Sequence, residues 1–312
     1  MLNNEYTPEC IRCHNDEKTR ESSRQKINKK FEQYVNILSE NKFDTIRYLA
    51  IEIDNLCNFE CRTCNSFLST KLQKRDRFLG YGVGKNNKAD ISFLNVLDLS
   101  NLRRLHLHGG EPFLTPNLKE ILEIVEDQID PEWLELVFST NGSTIPSDDI
   151  LEKLKKIDVV NISVSLESTH KINDYIRYRG SKDQVIENAG ILREKLPDAV
   201  IDFSSTISLY NADYMPKTKR EIEELGYDHY WYFASNTPSM LDYAPDEYKE
   251  WLYSRVKDTE FEIAYKNYYE DKKYDKQKWD QFIKECKQLD EYYGIKLSDY
   301  HHNLNDLIDK YI

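Results

Sequence analysis

Apolar and polar positions fall into two alternating periods along most of the chain. Short runs with strand character are Ile46–Ile53, Arg104–His108, Trp133–Phe138, Val159–Leu166, Val200–Ile207 and His229–Phe233. Between them lie segments with apolar residues three and four apart, the spacing of one helix face. Thr115-Pro116 opens the first of these, which carries Leu118, Ile121, Leu122 and Val125. Ser147 can cap Asp148–Ile157, and Val185–Leu196 and Lys217–Leu225 follow. Six strands in βα alternation predict an α/β fold, a partial (β/α)6 TIM-like barrel rather than a closed barrel of eight.

The flanks differ from this middle. Residues 1–44 hold Cys10-Ile-Arg-Cys13-His14, a polar stretch from Glu17 to Lys30, and then Phe31, Tyr34, Val35 and Leu38 at helical spacing. They read as an N-terminal helical segment. Phe67–Phe78 reads as a helix. Gly80-Tyr-Gly-Val-Gly84 with Lys85-Asn-Asn-Lys88 reads as a mobile surface excursion, and it lacks the Gly-Lys-Ser/Thr ending of a phosphate loop. After Pro245 the chain is mostly helical and crowded with Tyr, Lys, Glu and Asp, ending in the short segment Tyr300–Ile312. The expected division is an N-terminal segment with the CxxC (1–44), packing with the C-terminal extension, a barrel (45–240) and that helical extension (241–312).

Composition narrows the class. Of 312 residues, 39% are hydrophobic and 31% charged, enough for a core beneath a polar surface. No run of 18 apolar residues occurs and the first residues do not resemble a leader, so no membrane insertion and a cytoplasmic location are expected. The formal charge of −12 speaks against a broad nucleic-acid surface while leaving room for a local basic groove. Six cysteines are too sparse for a disulfide scaffold, and their spacing suits metal ligation.

Three of the six, Cys57, Cys61 and Cys64, stand within eight residues just after the first strand. Thiolates so close can converge on iron or zinc. A structural zinc would need a fourth ligand, for which His106 or His108 on the second strand are candidates. A cubane cluster on three cysteines would keep one iron open to a chelating ligand. The CxxxCxxC of Cys57, Cys61 and Cys64 resembles the cluster loop of the radical S-adenosylmethionine (SAM) enzymes, and the family's other marks follow in order over about residues 45–235. Gly109-Gly110-Glu111-Pro112 resembles the segment that holds the methionyl amine. Ser139-Thr140-Asn141-Gly142 ends the third strand, and Ser163, Ser165 and Glu167 end the fourth.

The resemblance implies a [4Fe-4S] cluster on the three cysteines and SAM bound beside it. It implies cofactor contacts from Gly109, Gly110, Glu111, Pro112, Ser139, Asn141, Ser163, Ser165 and Glu167. Either Arg177 or Arg179 would meet the SAM carboxylate, with Ser205 and Asn211 as weaker candidates. One position departs from the family: Thr63 precedes the third cysteine where an aromatic residue commonly packs on adenine, although Phe59 keeps an aromatic in the loop.

Cys10, Cys13 and Cys286 remain. Cys286 lies on an apolar helical stripe with Trp279, Phe282, Ile283 and Leu289, the pattern of a buried cysteine. The CxxC of Cys10 and Cys13 reads as a redox pair or half of a metal site. The whole chain resembles radical SAM proteins with a short auxiliary-cluster extension, the twitch domain, and its first residues resemble those of phage- and virus-associated members. That implies a second [4Fe-4S] cluster on Cys10, Cys13 and Cys286, with structural zinc as the alternative. The implied activity is reductive cleavage of SAM to a 5′-deoxyadenosyl radical that abstracts a substrate hydrogen, with a flavodoxin- or ferredoxin-type donor and a peptide substrate. A small metabolite or nucleotide precursor is the other substrate class, and a non-catalytic iron–sulfur or zinc scaffold the other kind of protein.

Overall fold

The computed structural model describes residues 46–311 apart from 86–89, 130–132, 236 and 271, together with Gln25 and Lys29. The chain divides into two units, 1–45 and 46–312, and the architecture below is that of the second. Cys10, Cys13 and the helix expected around Phe31–Leu38 lie outside the described residues.

The chain enters at β1 (Tyr48–Glu52) and makes a two-residue strand, β2 (Glu60–Cys61), inside the cysteine loop. It then runs through α1 (Gln73–Leu79), β3 (Arg104–His108), α2 (Asn117–Gln128), β4 (Glu135–Thr140) and α3 (Asp148–Leu154). Strand β5 (Val159–Ser165) leads to the short α4 (Ile172–Ile176) and a two-residue β6 (Arg177–Tyr178). The barrel part ends with α5 (Lys182–Lys195), β7 (Val200–Ile207), α6 (Met215–Glu224) and β8 (Asp228–Phe233). The extension comprises α7 (Asp246–Val256), α8 (Glu260–Tyr269), α9 (Lys276–Tyr293), α10 (Leu297–Tyr300) and α11 (His302–Asp309).

β1, β3, β4, β5, β7 and β8 form one sheet in chain order, and every pairing in it is parallel. The six expected strands are all present, and the expected partial barrel is the observed architecture. β4 begins two residues later than the pattern predicts, because its pairing with β3 starts at Glu135, opposite Arg104.

Alternation decides which side of the sheet is which. Leu105, Leu107, Ile162, Val164, Ile201 and Phe203 are buried in the core under the helices. The opposite face is polar and only partly covered, with Arg104, His106 and His108 beside Ser139, Asn161, Ser163 and Asp202. A second apolar cluster joins the extension to the end of the sheet: Tyr175, Ile207 and Tyr210 pack with Tyr248, Trp279, Phe282 and Cys286.

Two expectations change. The helix after the cysteines does not start at Phe67. Asn65 takes the amides of Phe67, Leu68 and Ser69 in a turn, so one 3-10 turn (Thr70–Leu72) precedes α1. The Gly80–Gly84 segment is not a free excursion at its far end. Gly84 is buried, its amide donates to Ser66 Oγ at 2.9 Å, and a Cβ there would come within 2.4 Å of the Ser66 carbonyl. Among the described residues no helix is long and apolar enough to cross a membrane.

Candidate active site

The cysteine loop leaves β1 at the carboxyl end of the sheet, where folds of this kind gather their chemistry. It is fastened there by backbone. Gly110 N donates to the Asp54 carbonyl at 2.8 Å and Glu111 N to the Leu56 carbonyl at 2.7 Å. Both glycines are required for this contact. A Cβ on Gly110 would lie 2.1 Å from Leu56 O, and one on Gly109, whose φ is +134°, 2.4 Å from Asp54 O. The Gly109-Gly110-Glu111 run thus packs directly against the segment that enters the cysteine loop.

Glu111 is fully buried and held by three donors. Its Oε1 accepts from Thr140 Oγ1 at 2.6 Å and from Phe113 N at 3.2 Å, and its Oε2 accepts from Asn141 N at 2.6 Å. A carboxylate can accept about four bonds, so Oε2 keeps capacity for one more donor. Burial raises the Glu111 pKa, and these hydrogen bonds oppose the rise. Pro112 starts the turn for which the Glu111 side chain is the cap. Asn141 also donates to Asn58 Oδ1 at 2.9 Å and reaches Cys57 Sγ at 3.7 Å, so β4 holds the cysteine loop by a side chain.

From the other side the loop is gripped by α1 and β6. Arg75 donates to the carbonyls of Cys61 at 2.8 Å and Cys64 at 2.6 Å, and is itself paired with Asp76, whose other oxygen takes the Ser66 amide. The β2–β6 ladder sets Cys61 directly opposite Arg177. Arg177 is buried, donates to Glu167 Oε1 at 2.9 Å, and has no hydrogen-bond partner for its Nε. Glu167 accepts in addition from the Thr206 amide at 2.6 Å. Asn211 fixes this corner by donating to the carbonyls of Glu167 and Thr206.

The three thiols lie near enough for Cys57 and Cys64 each to raise the pKa of Cys61. Burial is the largest cause for all three; it pushes Cys61 up to about 12, and Arg177 pulls all three down. Among the described residues no three His, Cys, Asp or Glu side chains are closed to metal-ligand geometry. The donor set nevertheless suits a metal group. Metal binding deprotonates thiols, and three thiolates would place negative charge beside a buried guanidinium that now has one carboxylate partner and an unpaired N–H.

The other candidates sort by face. Ser139 hydrogen-bonds His106 Nε2 at 3.0 Å and Ser163 donates to Asp202 at 2.6 Å, both on the polar face of the sheet that Ser165 shares. Burial, helped by the Arg104 guanidinium, holds His106 down at about 4, so it is neutral at pH 7. Ser205 turns to the helix-covered side, where it donates to the Leu166 carbonyl and meets His229 Nε2 at 2.8 Å. Arg179, at φ +72°, pairs with Glu60 and has a largely exposed side chain, whereas Arg177 points to the thiols.

The strongest unpredicted contact is Arg62, between the second and third cysteines. Its fully buried side chain donates to the Tyr175 carbonyl at 2.9 Å and Asp290 Oδ1 at 2.8 Å, with the guanidinium 3.6 Å from the Tyr175 ring centre. Cys286, one turn before Asp290 on α9, is buried with Sγ 3.1 Å from Tyr175 Oη, and its carbonyl faces Arg62 at 3.5 Å.

Comparison with known proteins agrees with this architecture. The family model of the radical SAM superfamily matches residues 51–225, more than half of the chain and the part of the site from Cys57 to Asn211. The chain belongs to the radical SAM superfamily. That is a superfamily of enzymes, which sets the scaffold alternative aside at the level of family. A protein of Methanocaldococcus jannaschii is 28% identical over 46% of this chain and 46% of its own. A GTP 3′,8-cyclase of Mesorhizobium japonicum is 27% identical over 46% of this chain and 41% of its own. The chain thus spans under half the length of these curated relatives. In fold it is similar to native anSMEcpe with bound AdoMet, at TM-score 0.51 and 14% identity over 72% of this chain and 62% of that one.

Proposed function

We propose that the chain is a radical SAM enzyme whose Cys57, Cys61 and Cys64 hold a [4Fe-4S] cluster beside bound SAM. The chemistry such a cluster would supply there is one-electron reduction of SAM to methionine and a 5′-deoxyadenosyl radical that could take a hydrogen atom from substrate. The observation that carries the reading is buried Arg177, opposite Cys61 on the β2–β6 ladder, which lowers the pKa of all three clustered thiols, keeps an unpaired Nε and is backed by Glu167. Glu111 has the remaining acceptor capacity to take the methionyl ammonium, and Asn141 spans from Glu111 to Cys57. Arg177, buried beside the thiols, suits the SAM carboxylate better than Arg179, whose largely exposed side chain is paired with Glu60. Ser163 and Ser165 lead from this corner onto the polar face where a substrate would lie.

For the substrate, a peptide is the leading class. Tyr230 and Tyr232 stand exposed on β8, the strand at the edge of the sheet, a surface suited to an extended ligand. The GTP 3′,8-cyclases among the relatives favour a nucleotide precursor as the second class.

A second cluster does not follow from the surroundings of Cys286. Among the described residues these include tyrosine hydroxyls, the Arg62 guanidinium and Asp290, with no group of three metal-ligating side chains, and no step is routed through it. Its expected partners Cys10 and Cys13 lie outside the described residues.

The test is anaerobic reconstitution with iron and sulfide, then dithionite and SAM. The expected product is 5′-deoxyadenosine, lost in a Cys57/Cys61/Cys64→Ala variant. Equal formation by that variant would sink the assignment.

A further inference from the structure

A cavity of about 530 Å³ opens between the first turn of α6, the end of α7 and the loop after β5. Its walls include Lys217, Arg220 and Arg255, three exposed cations on a chain whose formal charge is −12. None of the three is firmly paired. Lys217 lies 3.5 Å from Glu221 and Arg220 lies 3.8 Å from Glu224, both at the surface, where such pairs are weak. Among the described residues Arg255 has no ion pair. Its charge works against the rise that burial gives the Tyr214 hydroxyl pKa, so the two groups face the same space. The one acid in the wall, Asp213, is buried and committed to His301 Nε2 at 2.9 Å. His170 Nε2 is buried without a hydrogen-bond partner, with Glu221 left at 3.7 Å.

The frame behind these groups is fixed. Ser168 Oγ and Thr218 Oγ1 meet at 3.1 Å and join the loop after β5 to α6. Tyr265 Oη of α8 donates to the Ala212 carbonyl at 2.9 Å, and the His301 ring stands edge-on to Tyr214 with centres 5.0 Å apart. Asn211, two residues before Asp213, donates to the Glu167 carbonyl at 2.8 Å, so the wall continues into the corner that holds Arg177. A cavity of this size admits a small organic ligand. Two guanidinium forks and an ammonium on separate helices call for several negative oxygens, more than one carboxylate offers. The first turn of α6 adds a dipole of the same sign.

We propose that this cavity binds a small ligand bearing a di- or triphosphate group, with Lys217, Arg220 and Arg255 as its cationic partners and Tyr214 Oη and His170 Nε2 as its neutral ones. Inorganic polyphosphate and nucleoside polyphosphates share that chemistry. The site stands apart from the function proposed above, since it uses none of the cysteines and no step of SAM cleavage. Its occupant would join α6 of the barrel to α7 of the extension.

The test is titration calorimetry on the full chain reconstituted with iron, with inorganic tripolyphosphate and ATP as probes. We expect the wild type to bind at least one of them, with an affinity that falls as salt rises. Arg220→Gln/Arg255→Gln should bind at least about tenfold more weakly, and the single exposed change Lys217→Gln should weaken binding in the same direction. Lys74→Gln/Arg77→Gln, which removes two exposed cations elsewhere, should bind as the wild type does. Equal affinity for the two probes would place recognition in the phosphate chain, and tighter binding of ATP would mark a nucleotide; either supports the site. Binding of neither probe would overturn it, as would undiminished affinity in the Arg220/Arg255 and Lys217 variants. An equal loss in the Lys74/Arg77 variant would overturn it too, by reducing the effect to overall charge. So would a polyglutamate peptide that bound more tightly than either probe, which would make the surface a protein contact.

Discussion

Arg62 and Asp290 are 228 positions apart, yet they form an ion pair of 2.8 Å that ties the cysteine loop to the last long helix. Asp290 also accepts from Tyr175 Oη at 2.7 Å and, through its other oxygen, from the Leu297 amide at 2.8 Å. Tyr293, one turn on, donates to the Glu60 carbonyl at 3.1 Å. The extension therefore buttresses the loop directly, and the site cannot be treated as a property of the barrel alone.

Removing one partner of this pair tests that dependence. Asp290→Ala leaves the Arg62 guanidinium buried without its carboxylate, and breaking a buried pair in this way costs about 3–5 kcal/mol. The expected result is a lower urea midpoint together with reduced iron uptake, although the change lies far from the cysteines in sequence. Normal iron retention at wild-type stability would show that the helix does not set the loop.

Gly110 and Gly190 make a matched pair of substitutions. Gly110→Ala would drive a Cβ to 2.1 Å from the Leu56 carbonyl, whereas nothing lies within 4 Å of a Cβ on Gly190 in the middle of α5. We expect Gly110→Ala to lose reconstituted iron and Gly190→Ala to gain about 0.5–1 kcal/mol of stability with iron unchanged. Iron-to-protein ratios and chemical denaturation read both.

Much of this was legible in the residues and some was not. The existence of the six strands and the end of the sheet that carries the motifs follow from the βα pattern, whose alternation is strong in β3, β5 and β7 because one face is packed under helices. The β2–β6 ladder was not, because two-residue strands leave no period to detect. Arg75 and Asp76 carried a readable signal. They occupy the helix face continued from Leu72, where periodicity calls for apolar residues, and a charged pair there implies burial with partners. Arg62 gave no such sign, since its partners come from α4 and α9. Ser205 was placed by residue type near a strand end, although alternation with Ile201, Phe203 and Ile207 already sets it on the helix-covered face.

Stability should fall in mild acid, and His229 is one cause. Burial holds its pKa down at about 4, with Nδ1 unpartnered and Nε2 at Ser205. In the unfolded chain it titrates near 6.5. Between about 6.5 and 4 the unfolded state therefore binds a proton that the folded state refuses, so stability is lost as pH falls through that window. The full shift amounts to ~3 kcal/mol at most. His229→Gln should flatten the pH dependence of the urea midpoint between pH 7 and pH 4.5, and an unchanged slope would exclude His229 as its source.

Cys286 separates two accounts of the extension. If it shared a cluster with Cys10 and Cys13, Cys286→Ala would lower iron by about four atoms per chain. Its described surroundings point elsewhere. The thiol is buried against Tyr175 Oη, burial lifts its pKa to about 11, and Phe282 and Trp279 precede it on the same packed stripe. A buried cysteine on an apolar stripe, hydrogen-bonded to a tyrosine, behaves as a small hydrophobe with a weak donor. We therefore expect Cys286→Ala to keep the full iron content of the wild type. The small cavity and the lost tyrosine contact should cost about 1–2 kcal/mol. Cys286→Ser, which keeps a hydroxyl for Tyr175 but cannot replace a thiolate at iron, should also retain iron. Loss of about four iron atoms in both variants, with full occupancy of the Cys57, Cys61 and Cys64 site by spectroscopy, would restore Cys286 as a cluster ligand.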